Sequence, residues 1–480
     1  MNIVFIVPTS GYGIREKGQK SNKRIAGFFP PLGAAFLATV LENAGHKCRV
    51  LDLQVVQFSP DELTAEVKAF GAEVVCISVL TALYPEAMKI AQIIKKTTDI
   101  PIICGGQHVS LFPKETLLQN KEVDYVVFGE GEYKLLELVT AIEKNTPKYK
   151  VKGIYFREGK NKIVETERAP QIENLDKLPI PSRKFFDMKK YIPVANQYKR
   201  LPVTNMITSR GCTYALCKYC SESGILHQKY RRNSVGRTIE EIRYLIKEYK
   251  IKEIYFWDDE FVMESKWVDE FCEKLKKEKF DLTWSCYAKV NYVNQDMLNK
   301  MASAGCWKIF YGLESGNQEL LNNIKKGQTL QQIRDAVKWT QKAGIEVTAS
   351  FMLGLPGETP EMARKTIDFA IYLDLDYAIF CLTTPYPGTA LYEDFIKEGR
   401  QESKLDWGRY TCNLPIYLPE GYKNRKQLED LHKEAYRRFY LRPGYFMRKL
   451  SRINSIEDIM RYIRGIKFLI KMKLLNSPGM

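Results

Sequence analysis

The sequence lacks the long apolar runs that mark a membrane-spanning protein. Its longest apolar stretches, among them Ile3–Val7 and Val74–Leu80, fall well short of the roughly 20 residues that a helix needs to cross a bilayer. The first residues also lack the basic segment and the small-residue cleavage site of a signal peptide, so Met1–Pro8 is predicted to contain a buried first strand. We therefore expect a cytoplasmic protein.

Cysteine, glycine and proline are too few for several classes of protein. The 480 residues include 11 Cys, 30 Gly and 21 Pro, with 45% hydrophobic and 27% charged residues. These proportions exclude a disulfide scaffold, a collagen-like fibre and a disordered chain, and the length favours two or three folded domains. Most cysteines stand alone among apolar neighbours and are predicted to be small buried side chains, namely Cys48, Cys76, Cys104, Cys272, Cys286, Cys306 and Cys381.

Residues 1–140 alternate short apolar strands with helical stretches. This rhythm predicts an α/β fold with a doubly wound, Rossmann-like parallel sheet, which binds ligands at the carboxyl ends of its strands. The predicted strands are Ile3–Val7, Lys47–Leu51, Val74–Ser78, Ile100–Cys104 and Tyr125–Phe128, and the helices between them include Leu32–Ala44 and Tyr84–Lys95.

The rest of the chain divides into three predicted parts. Residues 141–200 lack the rhythm and are predicted to be a linker with a small hairpin formed by Val151–Phe156 and Lys162–Glu167. Residues 201–400 resume it with six β/α units, which predict a partial (β/α)6 barrel with its chemistry on the loops after the strands. Residues 401–480 are predicted to be a small helical region rich in basic residues. The predicted barrel strands are Val203–Thr208, Glu253–Trp257, Thr283–Tyr287, Lys308–Tyr311, Glu346–Leu353 and Tyr377–Thr383.

The most specific motif is a set of three cysteines, Cys212, Cys217 and Cys220, directly after the first barrel strand. Three thiolates on one loop can hold three irons of a [4Fe–4S] cluster and leave the fourth iron open to an external ligand. The competing interpretations are a zinc site, for which His227 is the only nearby fourth ligand, and coincidence. The pattern favours the iron–sulfur cluster.

At this motif the chain resembles the radical S-adenosylmethionine (SAM) superfamily, and specifically its cobalamin-binding branch, over nearly its whole length. The resemblance implies that the open iron binds SAM and that one-electron reduction cleaves SAM to a 5′-deoxyadenosyl radical. The usual spacing of the family is C-x3-C-x2-C, whereas four residues separate Cys212 from Cys217 here. Tyr219 matches the aromatic residue that usually precedes the last cysteine.

Further motifs of the family follow successive barrel strands. The resemblance implies that Asp258 and Asp259 lie where the SAM amino group is held and that Glu314 faces SAM, and the alternative for the aspartates is a solvated helix start. Lys289 stands where relatives carry an arginine that binds the SAM carboxylate. The glycine loop at Gly354 resembles the loop of the family that lies against the adenine ring of SAM. The residues implied to contact SAM are Tyr219, Asp258, Asp259, Lys289, Glu314, Ser350, Gly354 and Leu355.

The N-terminal domain resembles the cobalamin-binding module of the same branch. It lacks the Asp-x-His-x-x-Gly signature that ligates cobalt, so the resemblance implies base-off cobalamin without a histidine ligand, and His108 is predicted to make a loop hydrogen bond instead. The alternative is a vestigial domain that no longer binds a corrin. The residues implied to line the cobalamin site are Thr9, Pro31, Gly33, Ser78, Leu80, Gly105, Gly106, His108, Gly129, Glu130 and Gly131.

The resemblance implies an enzyme that methylates an unactivated carbon of a small-molecule or lipid-like substrate. Within the branch, the alternative is a ring-forming reaction such as that of the anaerobic Mg-protoporphyrin ester cyclases. The alternative from another class is a corrinoid or iron–sulfur carrier without catalysis. A one-electron donor such as flavodoxin or ferredoxin is the expected protein partner.

The net charge of +16 is concentrated near the C-terminal end of the sequence, where aromatic and basic residues alternate. Two structures fit this composition, a helical cap over the barrel and a cationic amphipathic helix over residues 461–473 at an anionic membrane surface. The cap is the favoured interpretation. Nucleic acid is not an expected partner, because neither a second cysteine set in the N-terminal part nor an appended all-β RNA-binding tail is found.

Overall fold

The protein is described by a computed structural model, which covers residues 1–10, 13–15, 27–159, 162–223, 229–400, 406–445, 447, 459–460 and 462–464. The chain divides into two compact units. Unit 1 comprises residues 1–191 and 404–409, and unit 2 comprises residues 192–403 and 410–480. Among the described residues, no helix is both long and apolar enough to cross a membrane.

Unit 1 is built on a mainly parallel sheet whose strands are separated by helices along the chain. The apolar runs Ile3–Val7 and Val74–Ile77 are buried, as expected of parallel strands that helices cover on both faces. Its strands are β1 (Asn2–Val7), β2 (Lys47–Asp52), β3 (Val74–Ser78), β4 (Ile102–Gly105), β5 (Tyr125–Val127), β6 (Ile154–Glu158) and β7 (Lys162–Glu165). Its helices are α1 (Leu32–Asn43), α2 (Pro60–Ala69), α3 (Tyr84–Lys95), α4 (Gln107–Leu111), α5 (Pro113–Gln119) and α6 (Glu132–Glu143).

The strand order of this sheet is β2-β1-β3-β4-β5-β6-β7. Strands β1 to β5 pair in parallel, and the chain leaves β1 toward β2 before it returns to the other side of β1 as β3. This reversal is the point at which doubly wound sheets bind ligands, so the predicted fold class is confirmed. The predicted hairpin exists as β6 and β7, and it extends the same sheet in antiparallel fashion.

Unit 2 alternates strands and helices from its first strand. Its strands are β8 (Val203–Met206), β9 (Ser209–Arg210), β10 (Arg231–Arg232), β11 (Glu253–Phe256), β12 (Thr283–Ala288), β13 (Cys306–Glu314), β14 (Glu346–Leu353) and β15 (Tyr377–Leu382). Its helices are α7 (Val235–Tyr249), α8 (Ser265–Glu278), α9 (Gln295–Ser303), α10 (Gln318–Asn323), α11 (Leu330–Lys342), α12 (Pro360–Tyr372), α13 (Ala390–Lys397) and α14 (Arg425–Tyr440).

The large sheet of unit 2 has the order β15-β14-β13-β12-β11-β8, and every pair is parallel. Successive strands are therefore neighbours, as the predicted partial barrel requires. The helix starts carry local signals: Thr329 makes a capping box with Gln332 before α11, and Thr359 caps α12 ahead of Pro360. Because all the strands run in one direction, their carboxyl ends meet on one side, where the site lies.

The basic C-terminal region forms a cap in its described part. Helix α14 packs on α12 and on the edge strand β15, and its own side chains Leu428, Leu431 and Phe439 are buried. This arrangement agrees with the favoured interpretation of the sequence. Most of the segment 461–473 lies outside the described residues.

Candidate functional site

The three cysteines lie on the loop that follows β9, and each side chain is partly exposed. Neighbouring loops fix this segment, since the backbone N–H of Lys218 donates to the Ile324 carbonyl at 3.0 Å and the Lys218 carbonyl accepts from Leu391 N–H at 2.9 Å. Gly211 and Ala215 adopt left-handed backbone conformations with φ of 82° and 39°. Hydrogen bonds from Lys218 to two other segments of unit 2 therefore hold the cysteine loop in place.

The three thiols on one loop are compatible with a [4Fe–4S] cluster. Among the described residues, no three His, Cys, Asp or Glu side chains lie close enough together to hold one metal ion. A [4Fe–4S] cluster binds each thiolate to a different iron, so it does not need three sulfurs around one atom. His227, the alternative zinc ligand, lies outside the described residues.

Burial and nearby lysines act in opposite directions on these thiols. Burial raises the pKa of Cys220 to about 12 and also raises the pKa of Cys217, whereas the ammonium groups of Lys326 and Lys289 favour the Cys217 thiolate. A partly desolvated thiol becomes a thiolate when its ligand brings positive charge. These residues therefore fit an iron cluster, whose cations supply that charge.

Glu314 is the centre of a hydrogen-bonded triangle at the end of β13. Its Oε1 accepts from the Tyr219 hydroxyl at 2.9 Å and from Lys326 Nζ at 2.8 Å, and Lys326 Nζ also donates to the Tyr219 oxygen at 2.8 Å. Tyr219 stands between Cys217 and Cys220, so the side chain of Glu314, which is predicted to contact SAM, is hydrogen-bonded directly to the cysteine loop. The Glu314 backbone has a φ of 63°, a costly conformation for this residue type that often occurs at functional sites.

Sequence reasoning missed Lys326. Burial acts to lower its pKa, but the Glu314 carboxylate raises the pKa above its ordinary value, so the ion pair persists inside the protein. The space around the pair needs Gly312, because an added Cβ there would lie 2.6 Å from Glu314 Oε1 and 2.9 Å from Lys326 Nζ. A lysine beside a glycine in a loop gives no local signal of this long-range contact.

Asp258 has a positioning role in the structure. It is buried, and its Oδ1 accepts from Thr208 N, Thr208 Oγ1 and Ser209 Oγ at 2.9, 2.8 and 2.6 Å. These bonds fix the turn that leads into Cys212. Its Oδ2 is buried without a hydrogen-bond partner among the described residues, and burial raises the pKa of this carboxyl. The side chain of Asp259 is exposed, and its contact with SAM stays a prediction.

Glu260, the next carboxylate, was not predicted from the sequence. It is buried, its Oε1 accepts from Lys289 N at 2.9 Å, and burial raises its pKa to about 7. The Lys289 ammonium lies 3.2 Å from the centre of the Tyr214 ring, and Tyr214 donates to the Lys325 carbonyl at 2.9 Å. The structure thus places Lys289 beside the cysteine loop, in contact with its Tyr214.

The glycine loop after β14 is held by a residue that precedes α14. The Gly354 N–H and the Tyr422 hydroxyl both donate to Glu358 Oε1 at 2.5 Å, and Gly354 has a φ of 80°. Glu358 is fully buried, and burial raises its pKa to about 7. Ser350 lies on β14 opposite Gly312, while the Leu355 side chain is buried in an apolar cluster with Met352 and Ile324.

In unit 1, the predicted cobalamin residues gather at the carboxyl ends of the strands. Leu80, two residues after β3, is 51% exposed, and Gly106 allows close backbone approach because a Cβ there would lie 2.8 Å from the Val79 oxygen. Gly33 borders open space at the start of α1. These features fit a large planar ligand. Thr9 follows β1, Ser78 is the last residue of β3, and Gly105 is the last residue of β4. Pro31 precedes α1, and the loop from β5 to α6 contains Gly129, Glu130 and Gly131.

His108 is buried inside unit 1. Its ring lies 4.4 Å from Tyr84, 5.2 Å from Phe112 and 4.9 Å from Trp407, centre to centre. Its Nδ1 is 3.4 Å from the Thr81 hydroxyl, in keeping with the predicted loop hydrogen bond. Burial lowers its pKa to about 4, so the ring stays neutral at physiological pH.

Comparison with known proteins gives the same assignment. Residues 206–370 match the radical SAM superfamily, and residues 22–139 match the B12 binding domain. The chain is 33% identical over 468 residues to uncharacterized methyltransferase PH0819 of Pyrococcus horikoshii, which covers 97% of this chain and 98% of that protein. It is 28% identical over 453 residues to the anaerobic magnesium-protoporphyrin IX monomethyl ester cyclase of Rubrivivax gelatinosus, covering 93% and 78% of the two chains.

The fold also matches a solved structure. Radical S-adenosylmethionine methyltransferase TsrM from Kitasatospora setae superposes with a TM-score of 0.73 over 98% of this chain and 99% of that chain, at 20% identity. The protein therefore belongs to the family of radical SAM enzymes that carry a B12 binding domain. Its cofactors are a [4Fe–4S] cluster, SAM and cobalamin, and its substrate is a small molecule.

Proposed function

We propose that this enzyme transfers a methyl group from SAM to an unactivated carbon of a small-molecule or lipid-like substrate. The observation that carries the proposal is the Glu314–Tyr219 hydrogen bond, which joins a carboxylate of the protein that is predicted to bind SAM to the cysteine loop. The similarity to PH0819, which is named as a methyltransferase, supports methyl transfer because it spans both chains almost completely.

Different residues of unit 2 are proposed to bind the cluster and SAM. Cys212, Cys217 and Cys220 would hold the cluster, Glu314 would accept hydrogen bonds from the SAM ammonium, and Lys289 would pair with the SAM carboxylate. When bound, the cluster and SAM supply radical chemistry and cobalamin supplies a methyl carrier. The cobalamin is proposed to bind at the carboxyl ends of the strands of unit 1 without a histidine ligand.

The test uses protein loaded anaerobically with cluster and cobalamin, then supplied with SAM and a reductant. We expect release of both 5′-deoxyadenosine and S-adenosylhomocysteine. The Cys217→Ala variant should lose cluster iron and 5′-deoxyadenosine together, whereas Cys272→Ala, a buried cysteine on α8, should keep both. Release of 5′-deoxyadenosine by Cys217→Ala contradicts the cluster assignment.

A ring-forming reaction is the second candidate, because the cyclase of Rubrivivax gelatinosus is 28% identical over most of its length. This reaction consumes no methyl group. Formation of 5′-deoxyadenosine without any S-adenosylhomocysteine therefore favours it over methylation.

We propose a flavodoxin or ferredoxin as the electron donor in the cytoplasm. A groove of about 670 Å³ beside α12 and α14 supports an acidic partner, since five cations line it against Asp430 and Glu434. The variant Lys423→Glu/Lys426→Glu should slow cluster reduction by flavodoxin and leave reduction by dithionite unchanged. An unchanged rate with flavodoxin contradicts docking at this groove. The five cations are Arg364, Lys423, Lys426, Lys433 and Arg437.

Peripheral membrane contact remains a proposal for residues 461–473. The aromatic hydroxyls of Tyr436 and Tyr440 contact backbone groups of β15, so these rings serve the cap in the described structure. Flotation of the full chain with anionic vesicles tests the contact, and a protein that stays at the bottom of the gradient contradicts it.

A further inference from the structure

Two cysteines that are far apart in the sequence meet at the end of the last barrel strand. The Leu382 N–H donates to the Cys412 carbonyl at 2.6 Å, and the Thr384 hydroxyl donates to the Thr411 carbonyl at 3.0 Å. These bonds bring residue 412 beside Cys381, whose thiol hydrogen-bonds the Cys412 sulfur. Both side chains are partly exposed. The prediction that Cys381 is an isolated buried side chain is therefore wrong.

The Cys381 side chain faces the interior of the barrel. Side chains alternate along β15, and the Phe380 ring lies on the helix side, where it stacks on Phe351 at 5.6 Å and contacts Tyr436. Cys381 therefore points the opposite way. It is registered with Met352 on β14, on the same face as the predicted SAM residue Ser350.

The two thiols differ in their readiness to ionise. The hydrogen bond from Cys381 lowers the pKa of Cys412, and the same bond together with burial raises the pKa of Cys381. The thiol with the lower pKa supplies more of the thiolate, which is the attacking species in thiol–disulfide exchange. Cys412 thus has the chemistry of an attacking thiol, and Cys381 that of a resolving thiol.

We propose that Cys381 and Cys412 form a thiol–disulfide exchange site that reacts with low-molecular-weight disulfides such as oxidised glutathione. The Cys412 thiolate attacks one sulfur of the disulfide, whose S–S bond breaks and releases one glutathione thiolate. Cys381 then loses its proton and attacks Cys412 Sγ, which releases the second glutathione. The dithiol loses two electrons and two protons, and the glutathione disulfide gains them. The exchange reaction consumes neither SAM nor the methyl group of the proposed function.

The test uses the cluster-loaded protein under anaerobic conditions, so that Cys212, Cys217 and Cys220 are occupied. The protein is treated with oxidised glutathione, alkylated under denaturing conditions and digested with trypsin. Cleavage places Cys381 in the peptide 366–397 and Cys412 in the peptide 410–423, each with one cysteine. We expect a disulfide between these two peptides, with the mass of two hydrogens lost.

The single variants separate the roles. In Cys381→Ser, Cys412 should keep one glutathione as a stable mixed disulfide, because its resolving thiol is gone. In Cys412→Ser, Cys381 should not react with oxidised glutathione, so it should be found as a free thiol that the alkylating reagent modifies. Modification of Cys381 in this variant at the wild-type rate contradicts the proposed order of attack.

Cys286 and Cys306 are the matched control. They also hydrogen-bond to each other, but both are buried in the sheet of unit 2. Their peptides 280–289 and 301–308 should stay reduced. Absence of the 381–412 disulfide, or its formation no faster than a 286–306 disulfide, overturns the proposal. The assay needs neither SAM nor substrate, so its result is independent of the proposed function.

Discussion

The hydroxyl group of Tyr440 bridges both backbone groups of Ala378, because it donates to the carbonyl oxygen at 2.8 Å and accepts from the N–H at 3.2 Å. Tyr436 makes the same pair of contacts with Phe380, each at 3.3 Å. The two tyrosines lie four residues apart on one face of α14, and their partners, Ala378 and Phe380, lie on the edge strand β15. Side chains thus replace a neighbouring strand at this edge.

Loss of one bridging hydroxyl should destabilise unit 2. In Tyr440→Phe, the Ala378 N–H and carbonyl lose their partner on a covered edge, which costs about 1–3 kcal/mol of unfolding free energy. Urea unfolding monitored by circular dichroism measures the change. Tyr372→Phe is the control, since Tyr372 is 69% exposed, and an equal loss in both variants would contradict the role of the bridge.

The charge of Glu314 should matter for SAM binding as well as for the buried ion pair with Lys326. Glu314→Gln keeps the size of the side chain and an oxygen that accepts from Tyr219, but it removes the negative charge offered to the SAM ammonium. We expect the Kd of SAM to rise about tenfold or more in cluster-loaded protein, measured by equilibrium dialysis. Glu319→Gln, on the exposed first turn of α10, should bind SAM as the wild type does. Unchanged SAM binding by Glu314→Gln would argue against this residue as a SAM ligand.

The buried carboxyl of Glu358 should make stability depend on pH. Its folded pKa of about 7 exceeds its unfolded value, so the native state holds the extra proton and stability falls as pH rises from about 4.5 through 7. Glu358→Gln keeps the acceptor for Gly354 and Tyr422 without the charge. It should match the wild type near pH 5 and be more stable at pH 8, by on the order of 3 kcal/mol at most.

Thermal unfolding of the wild type and of Glu358→Gln between pH 5 and pH 8 measures the difference in stability. Glu361→Gln is the matched control, because Glu361 is exposed on the first turn of the same helix and hydrogen bonding lowers its pKa instead of raising it. A gain of stability at pH 8 in the control as well would show that the effect does not come from burial of Glu358.

Cobalamin binding should not depend on His108. The His108→Phe variant retains the packing against Tyr84 and Trp407, so we expect unchanged cobalamin content and an unchanged cobalt EPR spectrum. Leu80→Asp, by contrast, places a charge on the exposed apolar residue after β3 and should lower cobalamin content. Nitrogen splitting in the wild-type cobalt signal that disappears in His108→Phe would identify His108 as a ligand and contradict the prediction.

The structure shows which sequence predictions depended on local patterns alone. Alternating strands and helices predicted both sheets, and the three closely spaced cysteines predicted one loop after β9. Sequence reasoning missed Lys326, which contacts this loop from a later segment, and it predicted Asp258 as a SAM contact but not as the residue that fixes the turn leading into the loop. No periodicity or spacing connects these residues, because their contacts form only when separate strand ends come together.

The sequence by itself determined the order of strands and helices, the cysteine loop and the glycine loops, since these depend on residues close together in the chain. Only the tertiary structure decided that Tyr422 would hold Glu358, that Trp407 would pack on His108, and that Cys412 would meet Cys381. Each of these contacts depends on how a distant segment closes over the strands. The physical reason is that burial and hydrogen bonding between such segments exist only in the folded chain, where they set the charge state and the chemistry of each side chain.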